Sequence, residues 1–211
     1  MNFLFNFDNP VFRFLSRITD IILLNLLFLI CCIPIITIGP SVTALYYCML
    51  KIVRNHDSSI TEMFFHSFRD NLKQGALLTL IFLACTLFLV FDILLCNIFE
   101  LSLASFIKAF LYIFFFILIA MMSYAFPLLA QFENSIKNIL KNSFIISILN
   151  IGYTIIIVCL NSIPFLLLFC LTELFLISLP IWITCGISLI CLINSTMFVK
   201  IFDKLISLEQ S

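Results

Sequence analysis

Long uninterrupted apolar runs recur along these 211 residues, all but one near the roughly 20 residues that a helix needs to cross a bilayer. Lipid offers no partner to a backbone N–H or C=O, so only helices and closed barrels can span it. A barrel strand alternates polar and apolar residues. Here the runs are continuous, so the chain is read as all-α. Six segments are predicted, over 18–36, 41–53, 75–95, 106–130, 144–170 and 174–199. Pro127 lies near the end of the fourth, Pro164 interrupts the fifth and Pro180 lies near the start of the sixth. Charged residues make up only 10% of the chain, against roughly 25% in ordinary soluble domains. Eleven basic and eleven acidic side chains cannot coat so apolar a chain in water, so the expected solvent is the lipid bilayer. Residues 1–211 form a single transmembrane domain, and the zero net charge offers no basic surface for nucleic acid.

Basic residues collect on the cytoplasmic side of membrane proteins. Six crossings place Arg13, Arg17, Lys51, Arg54, Arg69, Lys73, Lys137, Lys141, Lys200 and Lys204 on one side and Lys108 alone on the other, where Asp92, Glu100 and Glu173 also lie. Both termini are therefore expected in the cytoplasm. The second segment is short, and it either crosses or is re-entrant; if it does not cross, the first 17 residues move outside. Asp8, Asn9 and Pro10 interrupt the N-terminal stretch, so it does not read as a cleaved signal, and the first run is expected to remain as an anchor.

Two connecting stretches read as amphipathic helices. Ser59 and Glu62 have capping-box spacing, and Ile60, Phe64, Phe68 and Leu72 follow on one face, opposite Glu62, His66, Arg69 and Lys73. That face suits either the membrane surface or a partner. The second stretch sets Phe132, Ile136, Ile139 and Leu140 against Glu133, Lys137 and Lys141. Phe3, Phe5, Phe7, Phe12 and Phe14 suggest a further interfacial segment.

The most distinctive stretch runs from Ile33 to Ser41, with Pro34, Thr37, Gly39 and Pro40. Pro34 cannot donate to a helix ladder. Gly39 is read as a position free to take positive φ, and Pro40 suits the first turn of a new helix. The stretch is either a tight turn or a broken helix at membrane depth whose backbone meets a solute. Charges are missing from the centres of the segments, which weighs against an ion-coupled carrier. Uncharged polar residues do occur there: Asn25, Ser123, Tyr124, Asn150, Asn161, Asn194, Ser195 and Thr196. Asn between helices acts as a hydrogen-bond link, and a polar ligand pocket is the alternative. No catalytic, cofactor or metal set is read. His56 and His66 lack a metal-ligand spacing, and the nine cysteines, none in a Cys-x-x-Cys pair, are read as small hydrophobes.

Three stretches together resemble the YesL-like bacterial membrane proteins, a family of unknown function. The first is Asn25-Leu26-Leu27 leading to Pro34, Thr37-Ile38-Gly39-Pro40 and Ala44-Leu45-Tyr46-Tyr47. The second is the Phe-rich basic stretch Phe64 to Gln74. The third is Phe126-Pro127-Leu128-Leu129-Ala130-Gln131-Phe132, read as a turn, followed by Lys137 to Asn142. Family members often carry Trp in the first segment, where this chain has Leu26, Leu27 and Phe28. The resemblance implies a multi-pass protein of the bacterial plasma membrane with a role in carbohydrate uptake or utilisation. The expected function is a non-enzymatic accessory or regulatory component that binds a carbohydrate permease or another membrane protein; the alternative is a small-solute transporter or channel for a sugar or oligosaccharide. The resemblance assigns no active-site residue.

Overall fold

A computed structural model of the chain describes residues 10–55, 59–98 and 104–209. The sequence readings at Phe3, Phe5, Phe7, Asp8, Asn9, His56, Asp57 and Glu100 lie outside the described residues, as do the side chains of Phe12, Arg13 and Phe14. Among the described residues the regular structure is entirely helical: α1 (Pro10–Cys31), α2 (Ile38–Val53), α3 (Ile60–Asp70), α4 (Leu72–Ile98), α5 (Ala104–Gln131), α6 (Ile136–Leu149), α7 (Ile151–Cys170), α8 (Thr172–Ile181) and α9 (Ile187–Glu209). A 3-10 turn, Ile35–Thr37, leads into α2, and a π-helical stretch, Trp182–Gly186, joins α8 to α9.

Among the described residues five stretches are long and apolar enough to cross a membrane: 35–53, 72–98, 106–131, 151–170 and 172–207. That number of spans marks a multi-pass membrane protein. α1, which carries Arg13, Arg17 and Asp20 in its first half, is not among the five. The second segment extends well beyond the thirteen residues read from sequence, because the 3-10 turn runs directly into α2. It is also the centre of the bundle. In its apolar window 61% of residues are buried, against 17% in those of α4, α7 and the α8–α9 stretch. α2 packs on α1, α3, α4, α5 and α9. Ala44, Leu45, Cys48 and Met49 are sealed inside the resulting core. An aromatic stack joins α2 to α5 through α9: Tyr46 and Tyr124 each set an edge against Phe198, with centroids 5.7 and 5.1 Å away, and Phe198 stacks on Phe202. Such pairs add stability beyond the area they bury.

Several boundaries differ from those read in sequence, each for a physical reason. α1 stops at Cys31, before Ile36, because Pro34 denies the next turn a donor. α7 runs straight through Pro164, since proline in a membrane helix forfeits only one ladder bond and neighbouring groups accommodate it. The fifth segment breaks instead at Asn150 (φ −114°, ψ 43°), whose backbone N–H and side-chain Nδ2 both donate to the Ile146 carbonyl, at 3.1 and 3.0 Å. Phe126 and Pro127 are not a turn: α5 continues through them to Gln131, and both are buried. The Ser59–Glu62 capping box does not form at α3, where the Ser59 side chain makes no cap bond. The side-chain cap is found at α6, where Ser135 Oγ accepts from the Asn138 N–H at 3.4 Å. The apolar face of α3 is covered by α2 of the same chain, with Phe64 fully buried, so the face read as open to membrane or partner is largely occupied.

Candidate functional site

Asn25 sits mid-α1 with no exposed surface. A π-helical stretch shifts the ladder from i−4 to i−5 and leaves backbone groups at its ends without regular partners. An Asn side chain offers two donors and an acceptor. Here Nδ2 donates to the carbonyls of Trp182 (3.0 Å) and Ile183 (2.7 Å), and Oδ1 accepts from the N–H of Ser188 (3.0 Å). One side chain of α1 thus clasps the α8–α9 junction from both sides. Gly186 is required within the junction, because a Cβ there would lie 2.5 Å from Cε3 of Trp182. The Trp182 indole N–H donates to Ser178 Oγ at 3.1 Å.

A second set of polar side chains links four helices. Asn194 of α9 donates through Nδ2 to Asn161 Oδ1 of α7 (2.8 Å) and to the Tyr46 hydroxyl of α2 (3.3 Å). Asn161 in turn donates to Ser123 Oγ of α5 (3.3 Å). Nearby, the hydroxyls of Tyr124 and Thr154 are 2.9 Å apart, and Thr154 donates towards the carbonyls of Ser147 (2.7 Å) and Asn150 (3.1 Å), stitching the α6–α7 break to α5. Among the described residues, three buried atoms in α9 make no hydrogen bond of normal geometry: Ser188 Oγ, Asn194 Oδ1 and Ser195 Oγ.

At the α1–α2 turn, Thr37 Oγ1 donates towards the carbonyls of Cys31 and Pro34, both at 2.7 Å, and its backbone N–H donates to Pro34 O at 3.0 Å. The bond to Cys31 takes up a carbonyl that the end of α1 leaves without a helix partner, and those to Pro34 close the 3-10 turn. Gly39 does not have positive φ; no described glycine does. It lies inside the first turn of α2, with Pro40 following as expected. Its lack of a side chain matters for another reason. A Cβ at Gly39 would lie 2.1 Å from Thr79 Oγ1, 2.4 Å from the Gly75 carbonyl and 2.8 Å from Cε1 of Phe126. A Cβ at Gly75 would lie 2.8 Å from the Pro40 nitrogen. α2 and α4 therefore meet backbone to backbone, through the small-residue packing common between membrane helices. Each helix repeats the same spacing, Gly39 with Thr43 and Gly75 with Thr79, and each Thr hydroxyl donates back to its Gly carbonyl, at 2.9 and 2.8 Å.

The start of α1 and the ends of α2 and α5 meet α9 at one end of the bundle. Arg17 donates to Asn55 Oδ1. Arg54 donates to Gln131 Oε1 (3.3 Å) and pairs with Asp203 (2.8 Å). Beside this cluster, a cleft of about 680 Å³ opens between α3, the start of α4 and the α5–α6 linker. His66 and Asp70, 2.7 Å apart, stand at its rim. Among the described residues no group of three or more His, Cys, Asp or Glu is arranged to hold a metal, and all nine cysteines are free.

Of the polar residues singled out in sequence, Asn161 and Asn194 come together with Ser123, and Asn25 is a separate clasp. Asn150 and Tyr124 meet only through Thr154. Thr196 is exposed and bonds its own helix, at Ile193 O (2.7 Å). Tyr46, Thr43, Gly75, Thr79 and Ser188 were not singled out as intramembrane polar or packing residues. The repeated Gly-x-x-x-Thr spacing was the available signal for three of them. The intramembrane Asn, Ser, Thr and Tyr side chains joined in these contacts are neutral, and what they form is a set of ties between helices.

Residues 21–93 match a family described as "Protein of unknown function, DUF624". The matched stretch includes Asn25, the Pro34–Pro40 turn and the Gly39–Gly75 contact, and covers about a third of the chain. No curated protein and no solved structure matches the chain.

Proposed function

We propose that the chain is a non-enzymatic accessory protein of the bacterial plasma membrane, linked to carbohydrate uptake, that works by binding another membrane protein such as a carbohydrate permease. The observation that carries this reading is how the intramembrane polar groups are used. Asn25 is saturated by the π-helical junction, and Tyr46, Ser123, Asn161 and Asn194 are tied to one another, which makes a braced scaffold. The apolar stretches of α4, α7 and α8–α9 meanwhile leave most of their residues uncovered by their own chain, available to lipid and to a partner. The resemblance to YesL-like proteins supports the carbohydrate link. Both termini are placed in the cytoplasm, supported by the asymmetry of basic residues and by the Arg17–Asn55 and Arg54–Asp203 contacts, which gather the start of α1, the end of α2 and the last turns of α9 at one end. Deleting the gene and measuring growth on a panel of glycans tests the link: slower growth on at least one oligosaccharide is expected, and unchanged growth on all of them contradicts it.

The unpartnered buried oxygens of Ser188, Asn194 and Ser195 favour a second reading, a small-solute transporter or channel with a polar path along α9. Uptake of labelled sugars into liposomes holding the purified protein alone would establish that role in place of the accessory one.

A further inference from the structure

Ile33, Pro34, Ile35 and Ile36, between α1 and α2, follow one another with no polar side chain among them, and all four are exposed, Ile33 at 78%. Their level in the bundle follows from α4 and α5. These consecutive helices pack as an antiparallel hairpin, with the Phe82 and Phe126 rings 6.2 Å apart, so the start of α4 and the end of α5 share one end. Gly39, at the start of α2, lies against Gly75, Thr79 and Phe126, and Arg54, just past the end of α2, reaches Gln131. Both ends of α2 therefore meet the same end of the α4–α5 hairpin, although a helix of 16 residues is about 24 Å long. α2 lies steeply across the α4–α5 axis and does not run along it. The 3-10 turn Ile35–Thr37, two residues from Gly39, also packs on α4. Gly75 and Thr79 stand within two helical turns of Lys73, and α4 continues from Thr79 to Ile98, about 28 Å further. The α1–α2 connection thus lies on the side of Lys73, well short of the opposite end of α4.

We infer that α1 and α2 form a re-entrant hairpin, which enters and leaves the bilayer on the basic side, and that its exposed turn is a contact surface for lipid acyl chains. α1 is not among the stretches able to cross. The Arg17–Asn55 contact closes the hairpin at its open end. At the turn, the Thr37 hydroxyl gathers the Cys31 and Pro34 carbonyls and Pro34 has no N–H, which suits a medium that offers the backbone no partner. Leu77, Leu80 and Leu83 of α4, beside Gly75 and Thr79 in sequence, are exposed as well, so the turn continues an apolar surface that faces lipid. The bilayer is then crossed by α4, α5, α7 and the α8–α9 stretch, with the open end of the hairpin and the end of α9 on one side. The inference goes beyond the accessory reading and holds equally for a transporter.

The test reads the depth of the turn in the full-length protein. In vesicles of phosphatidylcholine, Trp182→Phe removes the native tryptophan and Ile35→Trp places one in the turn. Lipids brominated near the middle of the acyl chains should quench its emission several-fold more than lipids brominated near the headgroup, and aqueous iodide should hardly quench it. Ile33→Trp, at the most exposed of the four positions, gives a second reading, and melting compared with the Trp182→Phe protein shows which variant is folded. On intact cells, a membrane-impermeant maleimide mapped by peptide mass should modify Glu173→Cys, at the α7–α8 connection, and leave Ile35→Cys unmodified. Strong iodide quenching, strongest quenching by the shallow bromines, or modification of Ile35→Cys from outside would each overturn the inference and make the turn a loop on the far side.

Discussion

Gly39 shows how a single atom's space can matter more than backbone freedom. The residue is helical, and what it supplies is close approach: the Gly75 carbonyl and Thr79 hydroxyl occupy the place of a side chain. Gly39→Ala is therefore expected to cost about 1–3 kcal/mol in stability, the usual range for overpacking, and Gly39→Val more. Thr79→Ala should not rescue Gly39→Ala, because the Gly75 carbonyl still stands 2.4 Å away. Gly152→Ala, where a Cβ meets nothing within 4 Å, should change stability by less than about 1 kcal/mol. Thermal melting in detergent reads all four variants, and a Gly39→Ala protein that melts like the parent would refute the close approach. Asn25→Leu removes three hydrogen bonds to backbone groups of the junction and should cost about 2 kcal/mol. Trp182, the only tryptophan of the chain, lies in the clasped junction, so its emission maximum should move in that variant. An unmoved emission with unchanged melting would show that the clasp does not hold the junction. The sequence made Asn25 legible as a tie between helices. Its partners were not legible, because they are backbone groups exposed by a π-helical stretch that no local composition announces.

Helix breaks follow the same logic one scale up. Proline was the sequence cue for interruption, and it served at Pro34 but failed at Pro164 and Pro127. A missing N–H ends a helix only where the chain has somewhere else to go. At Pro34, Thr37 takes the Cys31 carbonyl at the end of α1, whereas α7 and α5 continue as helix past their prolines. The break at Asn150 had no proline to mark it and depends on Thr154, which binds two carbonyls of the break and the Tyr124 hydroxyl. Thr154→Val should thus lower the melting temperature and increase proteolysis at the α6–α7 junction, while Pro164→Ala leaves both near the parent values. The opposite ranking would restore Pro164 as the hinge of the fifth segment. The apolar runs and their order were readable from sequence, since hydropathy reports burial in lipid directly. The depth of α2 was not, because a short apolar run looks the same at the rim of a bundle as at its centre.

At the scale of the molecule, polar interior contacts hold helices together, and the contacts of Arg17 and Arg54 gather at one end. Reporter fusions, one enzyme active only inside the cell and one only outside, should find both termini cytoplasmic; an outward reporter active after residue 17 would contradict the hairpin of α1 and α2 that the Arg17–Asn55 contact implies. The central claim is that this scaffold serves a partner and carries no solute of its own. It is tested most directly by crosslinking in living cells, purifying the tagged protein in mild detergent and quantifying what accompanies it. A carbohydrate permease recovered in near-stoichiometric amount, and lost when the tag is placed on an unrelated membrane protein, is the predicted result. Recovery of the protein alone after crosslinking, across growth on every glycan tried, would contradict it.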